Sequence, residues 1–360
     1  MQKNVFTPAF GKRPKVFIER DDIKLQFLAG LDNPDSPWRN TVLLGARGTG
    51  KTAFLADIKS SLSDEIIVIS IASRGEILDE ILLQLYNQAS QLTKIKQNLK
   101  SFNANILGIS IGGGIEQPDF LNTFRGRLTR LLDEVAKSGS LVLFLVDEIQ
   151  EESPEVRQFV TTYQQLLMEN YNVALLMAGL PQSLEKIFSD KILTFFRRAN
   201  RIYLKNINVS LVELDYQAIF ARNFKLEDSA LITKAAEATC GYAYLVQLIG
   251  YYLWENLVKE MNGEPALADA ILRSKILLFQ NVHDVVFDEL SANDRAYCFA
   301  MLEDKGPTRF SDVQERLGKK KNQLSQYRAR LLAKGVIKAV GHGEVEFTLP
   351  YMKEYLKNKY

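Results

Sequence analysis

Residues 45–52 read GARGTGKT, and no other stretch restricts the fold of this chain so tightly. The segment fits the phosphate-cradling pattern G-x-x-x-x-G-K-[ST] without a gap. That pattern works only between a buried strand and the start of a helix, and TVLLGARGTGKTAFL supplies strand, glycine-rich turn and helix in order. Gly45, Gly48 and Gly50 let the backbone turn sharply, so that amides along the loop, those of Ala46, Arg47 and Thr49 included, come close to phosphate. The following helix points its positive end at the same anion. Lys51 is expected to reach the β- and γ-phosphates, and the Thr52 hydroxyl to ligand Mg²⁺. A nucleoside triphosphate with Mg²⁺ is therefore the expected ligand.

A second element stands downstream. LVLFLVDEIQ (141–150) is a fully apolar strand that ends in Asp147 and Glu148. An aspartate there holds Mg²⁺ through water, and the adjacent glutamate orients and deprotonates the attacking water. Further short strands are expected at 65–72, 172–181 and 199–207. Helices are expected at 78–100, 121–137 and 154–170, the last capped by Ser153. Strands alternating with helices predict an α/β fold with a parallel sheet covered on both faces. NANILGISIGGGIEQ (103–117) reads as a hairpin or flexible insertion.

From about residue 211 strand signals stop and amphipathic helices run to about residue 290. GYAYLVQLIGYYLW (241–254) is interrupted by Gln247, which favours a buried helix over a bilayer span. The final segment, SDVQERLGKKKNQLSQYRARLLAKGVIKAVGHGEVEFTLP (311–350), reads helix, turn, helix and two strands around Gly341-His342-Gly343. Ser311 is expected to cap the first helix, and the turn to begin near Gly318. The second helix is expected over 322–334, with Leu324, Leu331 and Leu332 on its core face. This is a winged helix-turn-helix pattern. Lys319, Lys320, Lys321, Gln323, Gln326, Tyr327, Arg328 and Arg330 are the candidate contacts to duplex DNA, with Lys334 at the helix end and Lys338 and His342 on the wing. Lysines and arginines there neutralise phosphates, and Gln or Arg near the helix start reads base edges. Winged helices also dock on proteins, so a protein partner stands as the alternative. The expected division is 1–208 for the ATPase core, 209–284 for a helical lid and 285–360 for the winged helix.

Composition excludes several other chemistries. A net charge of +2 over 360 residues makes any polyanion-binding surface a local one. The only histidines are His283 and His342, and the only cysteines Cys240 and Cys298. A His-based metal centre, a Ser-His-Asp triad and a disulfide framework are thereby disfavoured, and a reducing cytoplasm is expected. The first residues, MQKNVFTPAF, lack a signal-peptide pattern, and no membrane attachment is expected.

The phosphate loop and Asp147-Glu148, in this order, resemble the additional-strand ATPases, the AAA+ and STAND groups. Several segments together are similar to a narrower prokaryotic family: ATPases akin to origin-recognition and archaeal initiator proteins, with a C-terminal winged helix. NVFTPAFGKRPKVFIERDD (4–22) resembles that family's entry segment through Asn4, Phe6, Thr7, Pro8, Arg20 and Asp21, with Val5 and Glu19 in place of the usual Pro and Gly. TCGYAYLVQLIGYYLW (239–254) resembles its lid motif, with Ala243 where Pro is usual. AGLP (178–181) and the C-terminal run match it as well. The fourth strand departs from the pattern, ending Met177-Ala178-Gly179-Leu180-Pro181 before Gln182 and Ser183, without the usual polar sensor. The resemblance implies ATP rather than GTP, an entry segment with Arg20 at the adenine, and an arginine finger from Arg197 or Arg198, near Arg201. It implies an ATPase, slow in turnover, whose nucleotide state controls DNA binding or assembly into a homo-oligomer. A STAND-like signalling or defence switch acting on a separate protein partner is the alternative. A motor ranks last, because no pore-loop motif is present.

Overall fold

The computed structural model of the chain describes residues 3–9, 16, 20–72, 76–92, 123–149, 153–181, 184 and 194–359. The expected insertion at 103–117, the end of the helix at 93–100, Glu19, Gln182 and Ser183 lie outside the described residues. The chain divides into two compact units: Asp21–Gly45 with Lys51–Tyr203, and Met1–Arg20 with Ala46–Gly50 and Leu204–Tyr360.

The first of these is built on a sheet. Its elements are α1 (Asp21–Leu31), β1 (Asn40–Leu44), α2 (Lys51–Ser61), β2 (Ile67–Ala72), α3 (Ile77–Leu92), α4 (Phe124–Ala136), β3 (Val142–Ile149), α5 (Pro154–Met168), β4 (Val173–Gly179) and β5 (Asn200–Tyr203). The strands pair in parallel in the order β2-β3-β4-β1-β5. β4 is thus inserted between β1 and β3, which is the additional-strand order expected from the two motifs. Every residue of β4 is buried, as the unbroken apolar run requires of a strand covered on both faces. Ser153 accepts from the Val156 amide and Pro154 follows at the first helical position, so α5 starts where its cap dictates.

The edge strand β2 is closed by side chains. Gln84 of α3 exchanges two hydrogen bonds with the Ser70 backbone, at 2.9 and 2.7 Å. Gln88 does the same with Val68, at 3.1 and 2.7 Å. The spacings match: four helical residues advance about 6 Å and two strand residues about 6.6 Å. An edge that would otherwise present a row of open backbone groups is covered from within the unit.

The second unit is mainly helical. It contains α6 (Val209–Phe224), α7 (Ser229–Ala238), α8 (Ala243–Val258), α9 (Gly263–Leu278), a π-turn at Phe279–His283, α10 (Asp284–Asp288), α11 (Ala292–Ala300), β6 (Thr308–Arg309), α12 (Phe310–Leu317), α13 (Lys321–Ala333), β7 (Ile337–Gly341), β8 (Glu344–Phe347) and α14 (Met352–Lys359). α8 carries residues 243–254 of that apolar run and is buried along most of its length, as expected. The N-terminal strap is pinned to it: Phe6 packs against Tyr216 and Phe220, with ring centroids 5.5 and 5.7 Å away. Asn4 donates to the Tyr251 carbonyl, and the Thr7 amide donates to Gln247. Only glycine fits at position 250, where a Cβ would stand 2.4 Å from the Phe6 ring.

At the C-terminal end of this unit, helix, strand, two helices and a hairpin follow in order, with a three-stranded antiparallel sheet β6-β8-β7. Gly318 ends α12 in the left-handed region, at φ 59°, where the turn was expected. α13 starts one residue before its expected bound. Ser311 does not cap α12: Arg309 holds the cap position, and Ser311 lies inside the first turn with its hydroxyl bonded to Asp312. The Phe310 amide is taken instead by the Gly343 carbonyl, so β6 feeds directly into the helix and shifts its start.

Candidate nucleotide site and basic surface

Within the sheet unit the residues expected to carry the chemistry gather at the C-terminal ends of the strands. Gly45 follows β1 directly, and Lys51 and Thr52 open α2. Asp147 and Glu148 close β3, two strands from β1 across β4, a lateral distance of about 10 Å. The register between β3 and β4 breaks between Val146 and Ile149, and Glu148 adopts φ 52°. This left-handed residue turns out of the sheet and is exposed. Its amide donates to the Asp147 carboxylate at 2.8 Å. A non-glycine in that conformation is a local strain of the kind found at functional positions. Lys51 Nζ donates to the Gly45 carbonyl at 2.8 Å, so the ammonium lies over the start of the loop. Gly179 ends β4 in a tight spot, since a Cβ would come within 3.1 Å of both the Ile149 carbonyl and Leu184. Arg197 and Arg198 lie exposed on the short 3₁₀ turn Thr194–Arg198 before β5.

Loop residues 46–50 belong to the helical unit, and their contacts there are specific. Arg20, 7% exposed, donates from Nη2 to the Thr49 carbonyl at 2.6 Å. The buried Tyr242 hydroxyl donates to the Arg47 carbonyl at 2.6 Å. The Arg47 guanidinium pairs with Glu289 at 2.7 Å. Tyr242 and Glu289 went unselected by sequence reasoning. The signal for Tyr242 was present in the lid motif, beside Ala243. Ala243 itself is the first residue of α8, a position where proline and alanine are both accommodated.

Residues 316–341 carry eight Lys and Arg and no Asp or Glu, which leaves the remainder of the chain net acidic. Lys319, Lys320, Lys321, Gln323 and Gln326 are exposed, while Tyr327 and Arg328 are half-buried. Leu324 and Leu331 are fully buried on the opposite side of α13, and Leu332 packs beside them. None of the three lysines takes part in an ion pair among the described residues. Other basic residues are committed elsewhere. Arg330 makes a two-armed bond to Asp294, at 3.1 and 2.6 Å. Burial alone would raise the Asp294 carboxyl, but Arg330 and Ser291 outweigh it and hold the group below its ordinary value. Arg316 grips Asp304 with both nitrogens, at 2.6 and 2.7 Å. Lys334 donates to the Glu289 carbonyl, and Lys338 pairs with Glu346. His342 is exposed at the hairpin tip.

Residues 36–188 match the family model for an AAA domain, and residues 280–356 match a domain of unknown function (DUF8462). Among solved structures, the chain is similar to a Walker-type ATPase of Pyrococcus abyssi, with 17% identity, TM-score 0.68 and coverage of 96% of this chain and 97% of that one. It is also similar to the ORC2 protein of Aeropyrum pernix, with 12% identity, TM-score 0.62 and coverage of 99% and 96%. Over residues 36–188 the chain carries an AAA domain, on a parallel-sheet P-loop ATPase fold shared with these two proteins. No curated protein matches it. Among the described residues, no helix is long and apolar enough to cross a membrane.

Proposed function

We propose that this protein is an Mg²⁺-dependent ATPase of slow turnover whose nucleotide state governs a DNA-binding winged helix. The observation that carries the reading is the gathering of Gly45, Lys51, Thr52, Asp147 and Glu148 at one end of the sheet in an AAA-type fold. The amides of 45–50 and the Lys51 ammonium bind the phosphates. Glu148, turned out of the strand, orients and deprotonates the attacking water. Thr52 and Asp147 hold Mg²⁺. This donor set fits, because Mg²⁺ keeps several waters and phosphate oxygens, and the described residues offer no cluster of three acidic, His or Cys side chains that would favour another metal. When bound, Mg²⁺ supplies neutralisation of phosphate charge. Arg197 or Arg198 stabilises charge on the transferring phosphoryl group, from this or a second copy. The Aeropyrum pernix protein was solved as ADPNP–ADP complexes, which supports adenine as the base.

The DNA half of the reading rests on the unpaired lysines 319–321 and the polar, exposed start of α13. Residues 1–208, 209–284 and 285–360 then act as ATPase core, lid and winged helix. Arg330 is left out of the contact surface, because its head is held by Asp294. The free thiols Cys240 and Cys298 suit a reducing cytoplasm. The test is phosphate release from ATP·Mg²⁺ with nucleotide titration. Lys51→Ala is expected to lose nucleotide binding with an unchanged melting curve, and Glu148→Gln to bind ATP and retain it unhydrolysed. Normal binding by Lys51→Ala removes the site, and normal turnover by Glu148→Gln removes its base.

A further inference from the structure

Gly48 occupies a position that the phosphate-loop pattern leaves open. Its glycine has two local causes. The backbone there has φ 72°, and a Cβ would stand 1.9 Å from the Tyr242 hydroxyl oxygen. The tyrosine cannot draw back. It is 1% exposed, and its backbone is fixed on both sides. The Ile207 amide donates to the Gly241 carbonyl at 2.7 Å, and a Cβ on Gly241 would stand 2.0 Å from the Ile207 carbonyl oxygen. The Tyr242 amide bonds Thr239, and the Tyr242 carbonyl accepts the Val246 amide as the first turn of α8 begins.

The consequence follows from peptide planarity. In a trans peptide the C=O and the next residue's N–H point in opposite directions. Tyr242 holds the Arg47 carbonyl, and so aims the Gly48 N–H the other way. Arg20 holds the Thr49 carbonyl, and so aims the Gly50 N–H the other way. Gly50 itself is required by its backbone, which lies in the left-handed region at φ 89°.

We infer that Tyr242 and Arg20 are positioning residues of the phosphate loop, fixing the Gly48 and Gly50 amides through the carbonyl ends of the same two peptides. The inference rests on the nucleotide reading above. It gives Arg20 a task on the loop rather than on the base, and gives Tyr242 a task that no motif assigns. Because Tyr242 is also the cap residue of α8, occupation of the loop and order at the start of that helix are coupled.

The full chain with Tyr242→Phe tests it, since the ring and its packing stay and only the hydroxyl goes. ADP·Mg²⁺ is titrated by calorimetry, and amide exchange is followed in peptides covering 46–50 and 243–258. Loss of the hold on the Arg47 carbonyl predicts about tenfold weaker ADP binding, with a melting temperature lowered by only a few degrees. Exchange at 46–50 should speed up without nucleotide. ADP should slow exchange at the start of α8 in the wild type and not in the variant. A merely structural role would not uncouple the two peptides. Wild-type affinity and wild-type exchange at 46–50 would overturn the inference. Should Tyr242→Phe fail to fold, Arg20→Lys, which keeps the charge and loses the reach, carries the same expectations at 46–50. If the wild type itself binds no ADP or ATP, the nucleotide reading falls, while exchange at 46–50 in the variant still decides whether the clamp exists.

Discussion

Asp294 and Arg330 show how one residue changes the reading of a surface. The sequence places Arg330 on a helix rich in lysine and glutamine, where a phosphate contact is the natural assignment. The structure gives it a carboxylate that is 1% exposed and that would otherwise be buried without a counter-charge. Arg330→Met is therefore expected to destabilise the C-terminal region by about 2 kcal/mol, the partly exposed guanidinium reducing the full cost of breaking a buried pair. Thermal melts would read this directly. The pH dependence has a definite sign. Asp284, held low chiefly by Lys359, Asp304, held low chiefly by Arg316, and Asp294 all titrate below the ordinary aspartate range in the folded chain. Their stabilisation is fully present above the unfolded carboxylate value of about 3.9 and is lost as pH falls through the lower folded values. The Arg330→Met penalty should accordingly shrink below about pH 4, where Asp294 no longer needs a counter-charge. A penalty independent of pH would remove the ion pair as its cause.

Elements were legible in the sequence where a local rule fixes them. The apolar runs gave the strands, Ser153-Pro154 gave the start of α5, and Gly318 gave the end of α12, because each of these is decided by neighbours in the chain. The start of α12 was misread because a hydroxyl near a helix start is a common cap, while the actual partner, the Gly343 carbonyl, comes from a hairpin more than thirty residues away. The tight surroundings of Gly179 were not legible, since Ile149 and Leu184 approach it only in the fold. The closure of β2 by Gln84 and Gln88 was equally hidden, as glutamines at helical spacing look like any solvated face. Gln88→Ala leaves the Val68 amide and carbonyl without these partners and is expected to cost about 1–3 kcal/mol. Denaturant unfolding checks this, and an unchanged midpoint would show that water replaces the side chain.

At the scale of the whole molecule, the helical unit offers a route between the two proposed activities. Glu289 binds Arg47 of the phosphate loop through its carboxylate and Lys334 at the end of α13 through its carbonyl. Glu289→Gln removes only the first of these. It is expected to reduce the effect of nucleotide on DNA binding while leaving the salt dependence of that binding unchanged, because the exposed lysines are untouched. Equal nucleotide dependence in variant and wild type would exclude this route. The central claim is tested most directly by binding of the full chain to random duplex DNA with ATP·Mg²⁺, with ADP·Mg²⁺ and without nucleotide, each at two salt concentrations. The account predicts binding that weakens steeply with salt and differs between nucleotide states. Absence of binding in every state would contradict it, and would make the basic face a docking surface for a partner protein in a STAND-like switch.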